Sequence, residues 1–166
     1  NKKRILDKIK YVDASFLTTS PDALNFLSNE NSFFIPNPSD KSFEILNNFN
    51  KSCNVDVFFA LSHGVHRGVL KSGKIDDRIN FLRDLVQKTP DVKFDLYGVD
   101  KVQPIWADHY FKTISNAKMG LNLSRGEAIK YYSSDRITQI VGNGLVCLID
   151  EKTKYRNFFD ENEMVF

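Results

Sequence analysis

Long hydrophobic runs are missing from this chain. No stretch approaches the roughly 18 apolar residues needed to cross a bilayer, and no signal-peptide pattern is present. Cysteine is scarce as well. Cys53 and Cys147 are the only two, and they are far apart, so they give neither a disulfide framework nor a metal-ligand spacing. A reducing compartment fits, and the expected location is cytoplasmic. A dominant charge is also lacking. With 23 Lys and Arg against 21 Asp and Glu, the net charge is +2, too small to argue for nucleic acid. Residues 1–10 concentrate Lys2, Lys3, Arg4, Lys8 and Lys10, but with apolar residues spaced between them, as on a solvated helix face. Several signatures are absent too. Without a G-x-x-x-x-G-K-[ST] loop a P-loop kinase is excluded, and without G-x-G-x-x-G a nicotinamide enzyme is disfavoured. There is no G-x-S-x-G elbow.

What remains is ordinary globular composition, 42% hydrophobic and 27% charged. A length of 166 residues suits one full domain, or one domain and part of another. The 14 Phe and 6 Tyr supply large rings for a core. No internal repeat or low-complexity tract is visible. The chain lacks an initiator Met, and an element begins at residues 163–166, which reads as a piece of a longer protein.

The first 40 residues read as helix, strand, helix, strand. Residues 11–18 suit a strand. Ser20 and Pro21 look like the cap and first position of a helix, with Ala23, Phe26 and Leu27 at helical spacing. Residues 32–35 suit a second strand, and the segment PNPSD at 36–40 is a strong break. Beyond it the pattern alternates. Buried strands are expected at 56–61, 92–97, 118–123 and 145–149. Helices are expected from Asp76-Asp77 to Lys88, weakly over 105–117, and after Ser133-Ser134. A short helix is expected at 155–159. Alternating strands and helices imply an α/β fold with a parallel, Rossmann-like sheet, right-handed crossovers and helices on both faces.

The unit at 133–150, SSDRITQIVGNGLVCLID, is the most informative. Ser133 or Ser134 can cap a helix with Asp135 in its first turn. Ile137, Ile140 and Val141 form one apolar stripe. Arg136 and Gln139 share another face. Asn143-Gly144 stops the helix, and the apolar run 145–149 suits a strand covered on both faces. The first amides of a helix lack internal partners and carry the positive end of the macrodipole, so such a start holds phosphate well.

On a parallel sheet, ligands sit beyond the carboxyl ends of the strands. That rule selects Ser62, His63 and Gly64; Tyr97 and Gly98; residues 122–125, with Asn122 and Ser124; and the helix start at 133–136, with Ser134, Asp135 and Arg136. Each has a plainer reading. Gly64 lets a backbone approach a diphosphate, or it belongs to an ordinary turn. His63 and His66 make a poor metal site without a nearby third ligand. Arg67 can face a diphosphate or solvent. Arg78 at a helix start reads mainly as an ion pair with Asp76 or Asp77. Arg136 can grip phosphate with its planar fork or anchor its helix through a salt bridge to Asp150 or Asp135. Tyr97 can flank a base or pack. Trp106 reads as a core or interface anchor, and Tyr131-Tyr132 as bordering a cleft or a partner domain.

The 133–150 segment resembles the donor-binding half of B-type glycosyltransferases, in the bacterial group with S-x-R-x-x-E-x-x-x-x-G before a hydrophobic strand. Arg136 takes the arginine position and Gly144 the glycine position, while Gln139 stands where that family usually has glutamate. Spaced motifs extend the likeness over roughly residues 56–166, and there is no D-x-D segment of the metal-dependent A-type enzymes. The resemblance implies one half of a B-type fold, with residues 41–166 as a donor-binding domain truncated at its carboxyl end. Residues 1–40 would be the tail of a preceding domain or an appendage with a linker. It also implies a nucleotide-diphosphate sugar as partner and metal-independent transfer to a saccharide, lipid or protein acceptor held by a missing domain. No cofactor is expected and no catalytic base is identifiable, so the fragment alone would be inactive. In the family the usual glutamate holds the ribose hydroxyls; an amide there still hydrogen-bonds but carries no charge. The alternative is a non-catalytic module derived from such a transferase.

Overall fold

The computed structural model describes residues 2–27, 31–62 and 76–166. Its helices are α1 (Lys2–Ile9), α2 (Asp77–Lys88), α3 (Ala107–Ile114) and α4 (Asp135–Gly142). Its strands are β1 (Ser15–Leu17), β2 (Ser32–Phe34), β3 (Val55–Ala60), β4 (Phe94–Tyr97), β5 (Ala117–Asn122), β6 (Val146–Ile149) and β7 (Met164–Val165). β3 to β7 form one all-parallel sheet in the order β4-β3-β5-β6-β7. The chain therefore steps outward from β3 to β4, then returns past β3 to build the rest of the sheet on its other side.

That reversal puts helices on both faces. Right-handed crossovers place a helix on one face when the chain moves one way and on the opposite face when it moves back. Val57, Phe59 and Leu121 bury against Ile79 and Leu82 of α2. On the other face, Phe58, Cys147 and Ile149 bury with Ile114 of α3 and with Ile137 and Ile140 of α4. Alternate residues of β3 thus feed two cores, which is why its sequence reads as a continuous apolar run. Gly120 of β5 lets α4 settle close to the sheet, since a Cβ there would lie 2.4 Å from Ile140 Cγ1. The helix stops where expected. Asn143, fully buried, donates to the Gln139 carbonyl (2.8 Å) and accepts from the Leu46 amide (3.2 Å).

The first 40 residues differ from expectation. The helix expected after Ser20 is only a 3-10 turn, Pro21–Ala23, and Ser20 makes no side-chain cap. Its hydroxyl bonds to Asp22, while its amide donates to the Lys130 carbonyl (3.1 Å). Asp22 is in turn paired with Lys130 (2.6 Å). The segment is tied sideways to a distant loop, and those ties compete with helix propagation. The expected strand 11–18 shrinks to β1, which pairs with β2 in a small parallel sheet. Tyr155–Asn157 is a 3-10 turn, shorter than the helix expected at 155–159. Among the described residues, no helix is long and apolar enough to cross a membrane.

Candidate functional site

The point where the strand order reverses lies between β3 and β5. Loops leaving neighbouring strands in opposite directions leave a crevice at their carboxyl ends. Here a cavity of about 720 Å³ opens at that place. One wall is polar, with Ser62, Ser124, Ser134, Asp135, Arg136 and Gln139. The other is built by Ile105, Trp106, Tyr110 and Phe111 around the start of α3.

Arg136 sits in the first turn of α4 and spans the crevice floor. Its Nη1 donates to the Leu123 carbonyl (3.0 Å) and its Nη2 to the Ala60 carbonyl (3.1 Å), so one fork bridges the ends of β5 and β3. The guanidinium also lies 5.0 Å from the centroid of the Phe59 ring. Burial lowers its pKa from the ordinary arginine value, and the neighbouring charge of Arg78 lowers it further. Neither salt bridge considered from the sequence forms. Asp135 Oδ1 accepts instead from Asn37 Nδ2 (2.7 Å), and Asp150 Oδ1 from the Lys152 amide (2.8 Å). None of the ion pairs among the described residues includes Arg136. Among the described residues, the cavity wall therefore holds a part-buried cation met by carbonyl dipoles and an aromatic face and by no carboxylate.

Arg78 adds a second guanidinium nearby. It sits in the first turn of α2, behind the cap residue Asp76, and donates through Nε (2.9 Å) and Nη2 (2.7 Å) to that carboxylate. Its Nη1 reaches the same Leu123 carbonyl at 3.4 Å. Arg125 Nε lies 3.8 Å from Asp76 Oδ2. Asp76 is 2% exposed and its Arg78 partner 11%, so this ion pair is shielded from solvent. Removing the carboxylate withdraws a shielded counter-charge from Arg78, beside Arg136, together with the cap of α2. Asp76→Ala is expected to cost ~3–5 kcal/mol in urea unfolding; a loss below ~1 kcal/mol, the scale of an exposed pair, would contradict this account.

The start of α4 is also open. Ser134 occupies the cap position but makes no cap bond; its hydroxyl donates to Asn122 (3.1 Å). No serine side chain therefore covers the first amides, the groups that favour an anion. Asn122, 2% exposed, has one amide terminus satisfied by Ser134. The other has no hydrogen-bond partner among the described residues. Leaving such a group unsatisfied costs ~1–3 kcal/mol; Asn122 lines a smaller neighbouring cavity with Arg78 and Ser124, not this one. Ser133 is occupied elsewhere, accepting from the Asn37 amide (2.9 Å).

Of the residues expected at the rim, Ser62, Ser124, Ser134, Asp135, Arg136 and Gln139 come together here, with Asn122 directly behind Ser134. Tyr97 and Gly98 do not line this cavity. The Tyr97 hydroxyl turns back to Asp95 (3.3 Å), and its ring packs edge-on against His109. Gly98, at φ +71°, abuts the Leu61 carbonyl. His63, Gly64 and Arg67, and the His63–His66 pair, lie outside the described residues. Tyr132 borders the cavity, whereas Tyr131 packs on Phe158.

Sequence reasoning missed the aromatic wall. Trp106 is no core anchor, being 57% exposed, and it precedes Ala107, whose φ of +49° is unusual for a residue with a Cβ. The available signal was its place on the loop leaving the carboxyl end of β4. Burial pushes the Tyr110 phenol up to about 12, against the opposing charge of Arg136. At neutral pH it is an uncharged wall residue.

Comparison with protein families gives one match. A model of glycosyl transferase-like proteins covers residues 78–166, from the first turn of α2 to β7. Searches of curated proteins and of solved structures returned no match. The matched residues are more than half the chain and carry β4 to β7, Arg136 and most of the cavity wall. By sequence and by architecture, this chain belongs to the glycosyl transferase-like family, as a carboxyl-terminal domain of the B type.

Proposed function

We propose that this domain binds a nucleotide-diphosphate sugar, with the diphosphate at the start of α4 and the nucleoside against the Trp106 wall. One observation carries the reading. A part-buried guanidinium without a carboxylate partner among the described residues lines a large cavity at the fold's ligand-binding crevice. Such a charge arrangement favours an anion. Arg136, the α4 amides and the Ser62, Ser124 and Ser134 hydroxyls supply positive charge and donors from the protein itself. As the glycosyl bond breaks, negative charge grows on the departing diphosphate, and donors already aimed there stabilise it.

On this reading residues 41–166 are the donor-binding domain, and the acceptor is held by a domain preceding it. Residues 1–40 would be that domain's tail or an appendage. They dock against the donor domain, where Asn37 Nδ2 bonds Asp135 and the Asn37 carbonyl accepts from Thr138 Oγ1 (3.2 Å), bracing α4 from outside. Gln139 would meet the ribose hydroxyls, as its family position implies. A second reading, a non-catalytic binding module, is favoured by the same residue, since its amide stands where the family usually has a carboxylate.

A thermal-shift panel of uridine, guanosine and cytidine diphosphates and their sugars separates the two. A ligand at one hundred times its Kd adds ~2.7 kcal/mol, or roughly 5–10 °C for a chain of this size. A response from any of these supports the donor site; none at millimolar concentration favours the module. For a responding nucleotide, Trp106→Ala is expected to weaken binding about five- to hundred-fold, the scale of aromatic–base stacking. Its effect on the unfolding midpoint should be small because the side chain is mostly exposed. Unchanged affinity would remove the nucleoside from this wall.

A further inference from the structure

The α1 helix belongs to neither core, and none of its eight residues is buried. Ile5, Leu6 and Ile9 nevertheless share one face at helical spacing. On the helical period Lys3 flanks that face on one side and Lys8 on the other, with Arg4 farther round. Leu6 and Ile9 are half-buried and Ile5 is exposed. The space beside Leu6 and Ile9 is lined, among the described residues, by α1 and Lys10 alone. Lys2 turns its ammonium over the Phe26 ring, 5.3 Å from the centroid. Just beyond the helix, Tyr11 is 87% exposed, and Val12 is exposed as well.

Positive charge is gathered in the same segment. Residues 2–10 hold five cations, Lys2, Lys3, Arg4, Lys8 and Lys10, against one carboxylate, Asp7, whereas the whole chain carries only +2. The remainder is therefore net acidic. No ion pair among the described residues includes any of these five. Water solvates such cations well, and the sequence alone reads as a solvated face. The structure adds exposed apolar side chains to that face, and water does not reward those.

We propose that α1 and the Tyr11-Val12 turn after it dock on an anionic phospholipid surface, with the helix lying in the plane of the headgroups. The two halves of the segment select this partner by charge and by polarity. A nucleic acid or an acidic protein face would take up the cations and leave Ile5, Tyr11 and Val12 in water. A bilayer answers both. Its headgroups meet Lys3, Arg4 and Lys8, while its acyl boundary receives Ile5, Val12 and the Tyr11 ring, whose hydroxyl stays at headgroup level. The cations keep to the outside because their stems reach past the apolar stripe. This surface does not depend on the nucleotide reading, since α1 contributes no residue to the crevice.

Co-sedimentation of the whole chain with phosphatidylcholine vesicles, and with vesicles of phosphatidylcholine and phosphatidylglycerol in equal parts, tests this. Binding is expected to the mixed vesicles and not to the neutral ones. It should weaken in 1 M salt, where the screening length falls to ~3 Å. Each cation near such a surface adds about fivefold, so Lys3→Ala, Arg4→Ala and Lys8→Ala together should weaken binding about a hundred-fold. Ile5→Ser with Tyr11→Ser keeps every charge and should still weaken vesicle binding at least ~fivefold. All five side chains are exposed, so the unfolding midpoint should stay level in both variants. No sedimentation with the mixed vesicles overturns the proposal, as does equal binding to neutral ones or undiminished binding by either variant. A single-stranded oligonucleotide bound through the same three cations, with vesicles ignored, would give α1 to nucleic acid instead.

Discussion

Arg136→Met should destabilise the domain and remove its response to nucleotide diphosphates together. Methionine keeps an apolar stem against Phe59 but withdraws both donors, so the Ala60 carbonyl loses its Arg136 bond and the Leu123 carbonyl keeps the longer one from Arg78 (3.4 Å). An abandoned acceptor costs ~1–3 kcal/mol. Part of this is recovered, because a desolvated cation beside Arg78 also disappears. A net loss of ~1–4 kcal/mol in urea unfolding is expected. Arg136→Lys separates the two roles. Its ammonium retains the charge but cannot span both carbonyls in one plane, so stability should fall while some anion response survives. If Arg136→Met still shows the full nucleotide-induced shift in melting temperature, Arg136 is a strand clamp and the phosphate lies elsewhere.

Gly98→Ala should be the most damaging single-methyl change in the sheet. A Cβ at Gly98 would lie 2.2 Å from the Leu61 carbonyl oxygen and 2.9 Å from Leu61 Cβ. That oxygen is backbone and cannot swing aside like a side-chain tip. The residue also sits at φ +71°, a left-handed conformation that costs a residue with a Cβ ~1–2 kcal/mol. With the collision added, a loss of ~3 kcal/mol or more is expected, lowering the melting temperature by roughly 6–12 °C. The distortion would reach the cavity because Leu61 leads directly into Ser62. A loss below ~1 kcal/mol, less than the left-handed conformation alone should cost, would mean that β4 and β3 separate easily at this end. The glycine singled out as a ligand contact is thus explained by the approach of two chain segments.

The legible features were those with short-range causes. The apolar stripe Ile137, Ile140 and Val141 marked α4, and two of its three residues are buried. Asp76 marked the start of α2 and does cap it. The apolar run 56–61 announced a strand covered on both sides, and Phe58 and Phe59 of β3 serve opposite cores. Ser20-Pro21 carried an equally good local signal, yet the helix did not propagate, because Ser20 and Asp22 are engaged with the loop at Lys130.

Local spacing alone was enough to assign alternating strands and helices, the parallel sheet, and the strand ends where a ligand would gather, because each follows from side-chain periodicity and chain termination over a few residues. Packing was needed for the rest. The direction of the Arg136 fork, the exposure of Trp106 and the shielding of the Asp76–Arg78 pair all depend on residues tens of positions apart. Charge, hydroxyl and ring are written in the primary structure. Which of them end up facing one another depends on sheet order and helix placement, and those set the distances on which every electrostatic and hydrogen-bonding energy here depends.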